Sequence, residues 1–297
     1  MVGHVSSLRY TELQVTTNYS FLRSGSHPGE LMRRAIELGH TAIGIADRNT
    51  LAGVVRAYVA VQEYYEESAI PQESRIKLLV GARLETRDGY SLIAYPMTLD
   101  GYKRLSRLLS QGNRQAAKGE CDLTFEDLEE YAEDILAIVL PPRRPEDPAF
   151  HEKLKRLAGL YRGRCYLAGT MLFRGNDAAR LAVLDTLAAQ TKVKLVATND
   201  VHYHVPERRA LHDVVTAIRL KCTVEELGFR RFASAERHLK PAEEMHRLFR
   251  RHPHALECIQ EIVGRCNFSL DQLTYQYPIR SEEHTSELQS RFGISYA

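Results

Sequence analysis

The stretch TAIGIADRNTLAGVVRAYVAVQEYYEE, residues 41–67, places a short uncharged run directly before an amphipathic segment. Residues 41–46 are small, apolar or β-branched, which is typical of a strand that a parallel sheet buries on both faces. From Ala52 to Glu67 the apolar residues recur at helical spacing. A strand followed by a helix is the repeating unit of parallel α/β folds, so this stretch predicts that fold class.

The same alternation runs through most of the chain. Six further apolar runs have the length of strands: 13–17, 76–84, 91–94, 135–140, 165–168 and 195–198. Helical patterns lie between most of them: 28–38, 100–111, 124–132, 148–160, 176–190 and 206–220. The proline-rich segment 141–148 predicts a loop after the fifth strand. Seven strands with helices between them predict an α/β barrel of parallel strands.

The alternation stops near Thr223, and the chain continues as helical patterns only. We therefore expect a barrel domain over 1–222 and a short helical connector over 223–279. Residues 280–290 read RSEEHTSELQS, have no apolar face and resemble a translated sequencing-library adapter. We expect 280–297 to be an artefactual tail that is no part of the fold.

The composition is that of a folded globular protein, with 44% hydrophobic and 26% charged residues among 297. The 40 Lys and Arg residues against 38 Asp and Glu give a net charge of +2, too little for a general positive sheath around a polyanion. The five cysteines form no C-x-x-C pair, which argues against a zinc knuckle or a disulfide framework. No segment has the length of a membrane span, and we expect a cytoplasmic protein with no membrane partner.

In a parallel barrel, functional groups collect at the carboxyl ends of the strands, because the loops there vary over a rigid scaffold. The stretch VATNDVHYH, residues 196–204, has ligand-type side chains at Asp200, His202 and His204. In an extended segment, this spacing puts the side chains on one face. The pattern is weak by itself, because Asp200 can cap a turn and His202 can satisfy a buried hydrogen bond.

Several stretches resemble, in order, the N-terminal part of bacterial C-family DNA polymerases of the error-prone, damage-tolerant type. They are VTTNYSFLRSGSHPGEL, GIADRNTLAG, LLVGARLE, VATNDVHYHVPERRALHDVV and HLKPAEEMHRLFRRHPHALECIQEIVGRCNF, spread over about residues 10–278. The resemblance implies a polymerase and histidinol phosphatase (PHP) domain, a distorted seven-stranded (βα)7 TIM-like barrel followed by the helical connector. Intact PHP domains hold two or three divalent metals for phosphoester hydrolysis.

The resemblance also implies that most of those metal ligands are replaced in this chain. The intact pattern has a His-x-His pair at Gln14 and Thr16, an acid at Arg23, a histidine at Arg48 after the retained Asp47, a glutamate at Arg83 and a histidine at Ser91. Only Asp200 and His202 clearly keep ligand types. Two donors do not hold a cluster of hydrated divalent ions, so we expect no metal, and at most a single ion at Asp200 and His202.

Three roles are open for the arginines at these positions. Arg23, Arg48 and Arg83 are permanently charged and have no lone pair, so they repel metal ions. They can stand in for the ions by pairing with Asp47, Glu85 or Asp200. They can instead face solvent, or grip a phosphate of a primer-template.

The resemblance implies an error-prone DNA-directed DNA polymerase as the full-length protein, acting in DNA replication and repair after damage. Its nucleotidyl transfer would use Mg²⁺ in a palm domain outside these residues. Expected partners are a DNA primer-template, dNTPs, a sliding clamp and accessory translesion proteins. The residues present would be a catalytically inactive scaffold that needs no cofactor. The alternative is a metal-dependent PHP phosphoesterase, or a 3′–5′ exonuclease, that uses Asp200, His202 and His204.

Overall fold

In the part of the chain that the structure describes, seven strands form one curled sheet in chain order, as the apolar runs predict. The computed structural model describes residues 8–68 and 75–274, so the tail expected at 280–297 lies outside the described residues. The strands are β1 (Glu12–Val15), β2 (Ala42–Arg48), β3 (Lys77–Glu85), β4 (Ser91–Pro96), β5 (Ile135–Val139), β6 (Cys165–Gly169) and β7 (Lys194–Ala197).

Helices cover the outside of this sheet. They are α1 (Pro28–Glu37), α2 (Ala52–Ser68), α3 (Leu99–Gln115), α4 (Phe125–Tyr131), α5 (Pro148–Leu160), α6 (Asp177–Thr191), α7 (Arg209–Leu220), α8 (Ala242–Leu248) and α9 (His254–Arg265). Short 3₁₀ turns occupy Pro206–Arg208, Glu225–Arg230 and Leu270–Gln272. Among the described residues, no helix is both long enough and apolar enough to cross a membrane.

The expectation that all strands run parallel is wrong for β4. This strand pairs antiparallel with both β3 and β5, whereas the other neighbouring pairs are parallel. A tight hairpin joins β3 to β4, with Glu85 opposite Ser91 and Gly89 in the left-handed region at φ +83°. A hairpin reverses the chain, whereas a parallel connection needs a crossover of a dozen or more residues.

The two ends of the sheet meet, which makes the sheet a barrel. Val15 and Val201 form a parallel bridge. The Thr16 amide donates to the Val201 carbonyl at 2.8 Å, and the Val201 amide donates to the Gln14 carbonyl at 2.8 Å. The bridge follows the end of β7, so the barrel is closed by a short seam instead of a full strand pair.

Tyr95 fills the interior of the barrel. Its side chain is fully buried, and its hydroxyl donates to the Leu13 carbonyl at 2.7 Å. A Cβ on Gly44 would lie 2.0 Å from the Tyr95 hydroxyl, and one on Gly81 would lie 2.5 Å from its ring. The two strand glycines therefore make room for one large side chain.

The segment that we expect to be the helical connector carries α8 and α9, and it packs directly on the barrel. α9 lies against β7, and Phe249, Ile259 and Ile262 share one apolar core with the buried strands. Burial of these side chains removes apolar surface from water and so ties the connector to the barrel. All five cysteines are free thiols.

Candidate functional site

The carboxyl ends of the strands form the mouth of the barrel, and most of the candidate residues lie at this edge. Because β4 runs antiparallel, its first residue, Ser91, lies at the same edge as the end of β3. Gln14, Thr16 and Asp47 are buried, while Arg23, Arg48 and Arg83 are partly exposed. The fold therefore gathers positions that are far apart in the sequence.

Two arginines at the mouth bind one carboxylate. Arg83 Nη2 lies 2.8 Å from Glu85 Oε1, and Arg48 Nε contacts Glu85 Oε2. Burial alone would raise the pKa of Glu85, but the guanidinium groups of Arg83 and Arg48 outweigh burial and hold this pKa below its usual range. Glu85 is therefore ionised and already has two cationic partners.

Asp47 has no arginine partner among residues 8–68 and 75–274, and hydroxyl and amide groups bind it instead. Thr17 donates to Asp47 from its backbone amide at 2.8 Å and from its hydroxyl at 2.7 Å, and the Ser20 hydroxyl donates at 2.7 Å. Burial raises the pKa of Asp47 to about 6 despite these donors. A Cβ on Gly53 would lie 2.1 Å from Asp47 Oδ2, so the first turn of α2 closes over the carboxylate.

Asp200 is paired with an arginine that the sequence analysis did not single out. The Arg237 guanidinium contacts Asp200 Oδ2, and Gln14 Nε2 donates to Asp200 Oδ1 at 2.7 Å. Arg237 also lies over the Phe232 ring, 4.0 Å from its centre. The carboxylate that the resemblance would give to a metal is therefore neutralised by a fixed cation.

His202 contacts Asp200, but not through the extended backbone that the spacing suggests. Asp200 has φ +47°, in the left-handed region, so the segment bends there. His202 Nε2 lies 3.4 Å from Asp200 Oδ1, while Nδ1 donates to the Arg23 carbonyl at 2.7 Å. Burial lowers the pKa of His202 to about 4, and the imidazole is neutral at pH 7.

His204 does not join this pair. Its Nδ1 forms a hydrogen bond with the Ser26 hydroxyl at 2.7 Å, and its backbone amide donates to the same oxygen at 3.1 Å. Among residues 8–68 and 75–274, the only group of three His, Cys, Asp or Glu side chains with metal-ligand spacing lies elsewhere.

Arg23 lies among other cations. Partial burial and the neighbouring Arg48 and Arg219 lower its pKa to about 10, which leaves it protonated at neutral pH. The Arg219 Nε donates to the Leu22 carbonyl at 3.1 Å and so sits beside Arg23 in the chain fold. The mouth is therefore positively charged at the position where the family pattern has an acidic ligand.

The residues at the mouth do not fit a cluster of divalent metals. Arginine nitrogens have no lone pair to donate, and Glu85 and Asp200 are already neutralised by Arg48, Arg83 and Arg237. A dense set of carboxylate and imidazole ligands is what such a cluster requires. In the described part of the chain, that set is missing from the mouth.

Sequence reasoning missed Glu12 as well as Arg237. Glu12 is fully buried beneath the mouth and accepts from the Tyr10 hydroxyl at 2.7 Å, the Gln14 amide at 2.8 Å and the Asn199 amide at 2.9 Å. Burial raises its pKa to about 7. The available signal for Glu12 was an acidic residue directly before the predicted strand 13–17. For Arg237, 37 residues from Asp200, the sequence offers no signal.

A cavity of about 990 Å³ opens beside Asp200. Of the described residues that line it, Asp200 is the only carboxylate, and seven are arginines: Arg83, Arg143, Arg174, Arg180, Arg209, Arg231 and Arg237. Such a lining attracts anions, because guanidinium groups suit phosphate and carboxylate oxygens.

Comparison with known proteins agrees with the resemblance seen in the sequence. The PHP domain profile matches residues 12–159. An error-prone DNA polymerase of Caulobacter vibrioides is 47% identical over 270 residues, which are 91% of this chain and 24% of that protein. One of a Bradyrhizobium species is 48% identical over 280 residues, which are 92% of this chain and 23% of that protein.

Among solved structures, an amidohydrolase from Chromobacterium violaceum with bound sulfate is 13% identical. The alignment covers 65% of this chain and 87% of that one, with a TM-score of 0.41. The chain thus spans about a quarter of the length of its curated relatives, 24% and 23% in the two cases above. Residues 12–159 belong to the PHP domain family, and the chain resembles the N-terminal PHP region of bacterial error-prone DNA polymerases.

Proposed function

We propose that this chain is the PHP part of an error-prone DNA polymerase and serves as a metal-free structural scaffold. The observation that carries the proposal is the pairing of Arg48 and Arg83 with Glu85 at the barrel mouth. These guanidinium groups occupy positions where the intact family pattern has a histidine and a glutamate. Two covalently attached cations thereby take over the charge balance that metal ions provide in intact PHP domains.

The activity of the whole protein is nucleotidyl transfer from dNTPs to a DNA primer-template. In this proposal, the reaction uses Mg²⁺ bound in a palm domain. The polymerase acts in the cytoplasm together with a sliding clamp and accessory translesion proteins. Its basis is the identity to curated error-prone polymerases over 91% of the chain. Sequencing the genomic locus beyond codon 279 tests it. We expect several hundred further codons that include palm carboxylates, and a stop codon directly after the PHP region would contradict it.

Hydrolysis assays test the proposal that the chain is a metal-free structural scaffold. The chain is incubated with Mn²⁺ or Zn²⁺ and either p-nitrophenyl phosphate or single-stranded DNA, beside an Asp200→Asn variant. We expect background rates from both proteins with both substrates. Metal-dependent hydrolysis that disappears in Asp200→Asn would overturn the scaffold and favour a phosphoesterase or a 3′–5′ exonuclease.

A second role is supported by the seven arginines of the cavity at Asp200. In this role they bind phosphates of the primer-template, because a guanidinium group pairs with two phosphate oxygens at once. Phosphate contacts of this kind do not depend on the base sequence. Fluorescence anisotropy with a labelled single strand tests this role. Binding that weakens with salt, and weakens further in an Arg174→Gln/Arg231→Gln variant, is the expected result. An affinity for the single strand that is unchanged in that variant would exclude the cavity as the DNA-binding site.

A further inference from the structure

Three potential metal ligands meet on the outside of the barrel. Asp185 lies on α6, and His252 and His254 flank Pro253 just before and at the start of α9. His252 Nδ1 lies 3.2 Å from Asp185 Oδ2, and His254 Nε2 lies 3.0 Å from Asp185 Oδ1. The three ligand atoms all lie within 4.8 Å of one another, and we call this group the Asp185 cluster.

The turn that carries the two histidines is fixed by its backbone. The His252 amide donates to the Phe249 carbonyl at 2.7 Å, and the His252 carbonyl accepts from the Ala255 amide at 3.0 Å. Phe249 and Ala255 are fully buried, and Pro253 restricts the backbone between the two imidazoles. The fold therefore holds both histidines in place before any ligand arrives.

The spacing suits a small tetrahedral ion. Zinc binds imidazole nitrogen and carboxylate oxygen at about 2.0–2.2 Å, so ligand atoms around a tetrahedral zinc lie roughly 3.3 Å apart. In the Asp185 cluster, His252 Nδ1 lies 3.2 Å from Oδ2 and His254 Nε2 lies 3.0 Å from Oδ1, so the two imidazoles face different oxygens of one carboxylate. One ligand atom from each of the three residues lies within 4.8 Å of the other two, which is close enough for a single ion to draw them together. Without a metal, the carboxylate accepts hydrogen bonds from the two rings. A bound ion would take the place of the two bridging protons, each of which would move to the other nitrogen of its ring or to water.

The charge of Asp185 is available for a metal. Over residues 8–68 and 75–274, Asp185 forms ion-pair contacts with the two histidines and with no lysine or arginine. This differs from the mouth, where guanidinium groups already neutralise Glu85 and Asp200. The side chains of Asp185, His252 and His254 are 38%, 16% and 49% exposed, so a hydrated ion can reach them.

We propose that the Asp185 cluster is a surface site for one zinc-class divalent cation, with three protein ligands and water in the fourth position. The site joins α6 to the turn between α8 and α9. A bound ion would cross-link the helical connector to the outer helices of the barrel. Its role is structural, because an ion that binds the folded chain and not the unfolded chain stabilises the fold.

Metal titration of the whole chain tests this site. Protein stripped with EDTA and desalted is titrated with ZnCl₂ by calorimetry, and CoCl₂ is followed by visible absorption. We expect one Zn²⁺ per chain, the d–d bands of tetrahedral Co²⁺ and a higher unfolding temperature with zinc. Asp185→Asn and His252→Gln/His254→Gln should each lose affinity by about tenfold or more. A His246→Gln variant, changed on the preceding helix, is the matched control and should bind as the wild type does.

Zinc binding at the mouth is tested in parallel with an Asp200→Asn/His202→Gln variant, which distinguishes an ion at the mouth from an ion at the Asp185 cluster. One zinc that only the cluster variants lose supports the site and agrees with a metal-free mouth. Two zincs, each lost with its own variant, also support the site but overturn the scaffold proposal. No stoichiometric Zn²⁺ and no Co²⁺ bands in the wild type overturn the site. A single zinc that only the mouth variant loses overturns it as well, whatever the folding of the other variants.

Discussion

The guanidinium of Arg237 lies in direct contact with the carboxylate of Asp200, and the two side chains are only 14% and 15% exposed. Removing the arginine would leave a largely buried carboxylate without its cation, which typically costs about 3–5 kcal/mol. We therefore expect Arg237→Leu to lower the free energy of unfolding in urea by about that amount.

The matched tests for this pair are a second-site change and a surface arginine. Asp200→Asn in the Arg237→Leu background should restore much of the loss, because an amide needs no cation. Arg231→Leu, at an exposed position nearby, should change stability by less than about 0.5 kcal/mol. Equal losses in Arg237→Leu and Arg231→Leu would show that the contact with Asp200 has no energetic weight.

Stability should depend on pH through two buried histidines. Burial lowers the pKa of His202 to about 4 and that of His212 to about 3, and His212 also lies beside His202. The unfolded chain takes up protons near pH 6.5, before the folded chain does. The stabilisation is therefore complete above pH 6.5, declines steadily as the pH falls below 6.5, and is fully lost once the pH has fallen through the folded pKa values.

His212→Phe isolates this effect, because phenylalanine keeps the stacking of His212 on Phe232. Between pH 7.5 and pH 5, the variant should lose roughly 2 kcal/mol less than the wild type in urea unfolding. Glu12 and Asp47 act in the opposite direction, since burial raises their pKa values to about 7 and about 6. Comparing variant with wild type cancels their contribution. A variant with the pH slope of the wild type would contradict the assignment.

Gly53→Ala should be destabilising even though Gly53 lies in a helix. The added methyl would sit 2.1 Å from Asp47 Oδ2 and 2.6 Å from Thr17 Oγ1, which forces the buried carboxylate to move. Overpacking of this kind costs about 1–3 kcal/mol, more than the gain of up to about 1 kcal/mol in helix propensity. Gly159→Ala in α5 should be stabilising instead, because a Cβ there has no atom of the described residues within 4 Å. Thermal unfolding of both variants measures the difference, and two changes of the same sign would refute the steric explanation.

Tyr95 and Gly44 should be energetically coupled. Tyr95→Ala empties the interior of the barrel and should cost about 3–5 kcal/mol, and Tyr95→Phe should cost about 1 kcal/mol through loss of the hydrogen bond to Leu13. Gly44→Ala should be strongly destabilising in the wild type and much less so beside Tyr95→Ala, since the hydroxyl 2.0 Å away is then gone. A double-mutant cycle in urea measures the coupling, and strictly additive changes would show that the two residues do not compete for space.

The sequence allowed the strands and helices to be predicted closely, because each is marked by a strong hydrophobic period. The run 135–140 became β5 at Ile135–Val139, and the helix predicted over 148–160 is Pro148–Leu160. The direction of β4 was missed, because an apolar run looks the same in either direction. The turn Arg87-Asp88-Gly89 was the signal, since Asp-Gly between two strand-like runs favours a hairpin.

The sequence predicted which positions form the site but not which side chains contact each other there. The resemblance marks Gln14, Arg48, Arg83 and Asp200, but their partners depend on side-chain packing across the mouth. Glu85 was one of three acids open as a partner for the arginines, and the structure pairs it with Arg48 and Arg83. Asp47 took hydroxyl donors instead. Contacts between residues many positions apart leave no periodic mark in the chain.

The ion pairs of Arg48 and Arg83 with Glu85 supply positive charge at the barrel mouth from the chain itself, so this charge does not depend on ions in solution. A bound ion can dissociate, be exchanged for another or be removed by a chelator, whereas a guanidinium group stays with the chain for its lifetime. If the scaffold proposal holds, we therefore expect the shape of the barrel mouth to be the same whatever the concentration of free manganese or zinc, and we expect a chelating buffer to leave the two ion pairs intact.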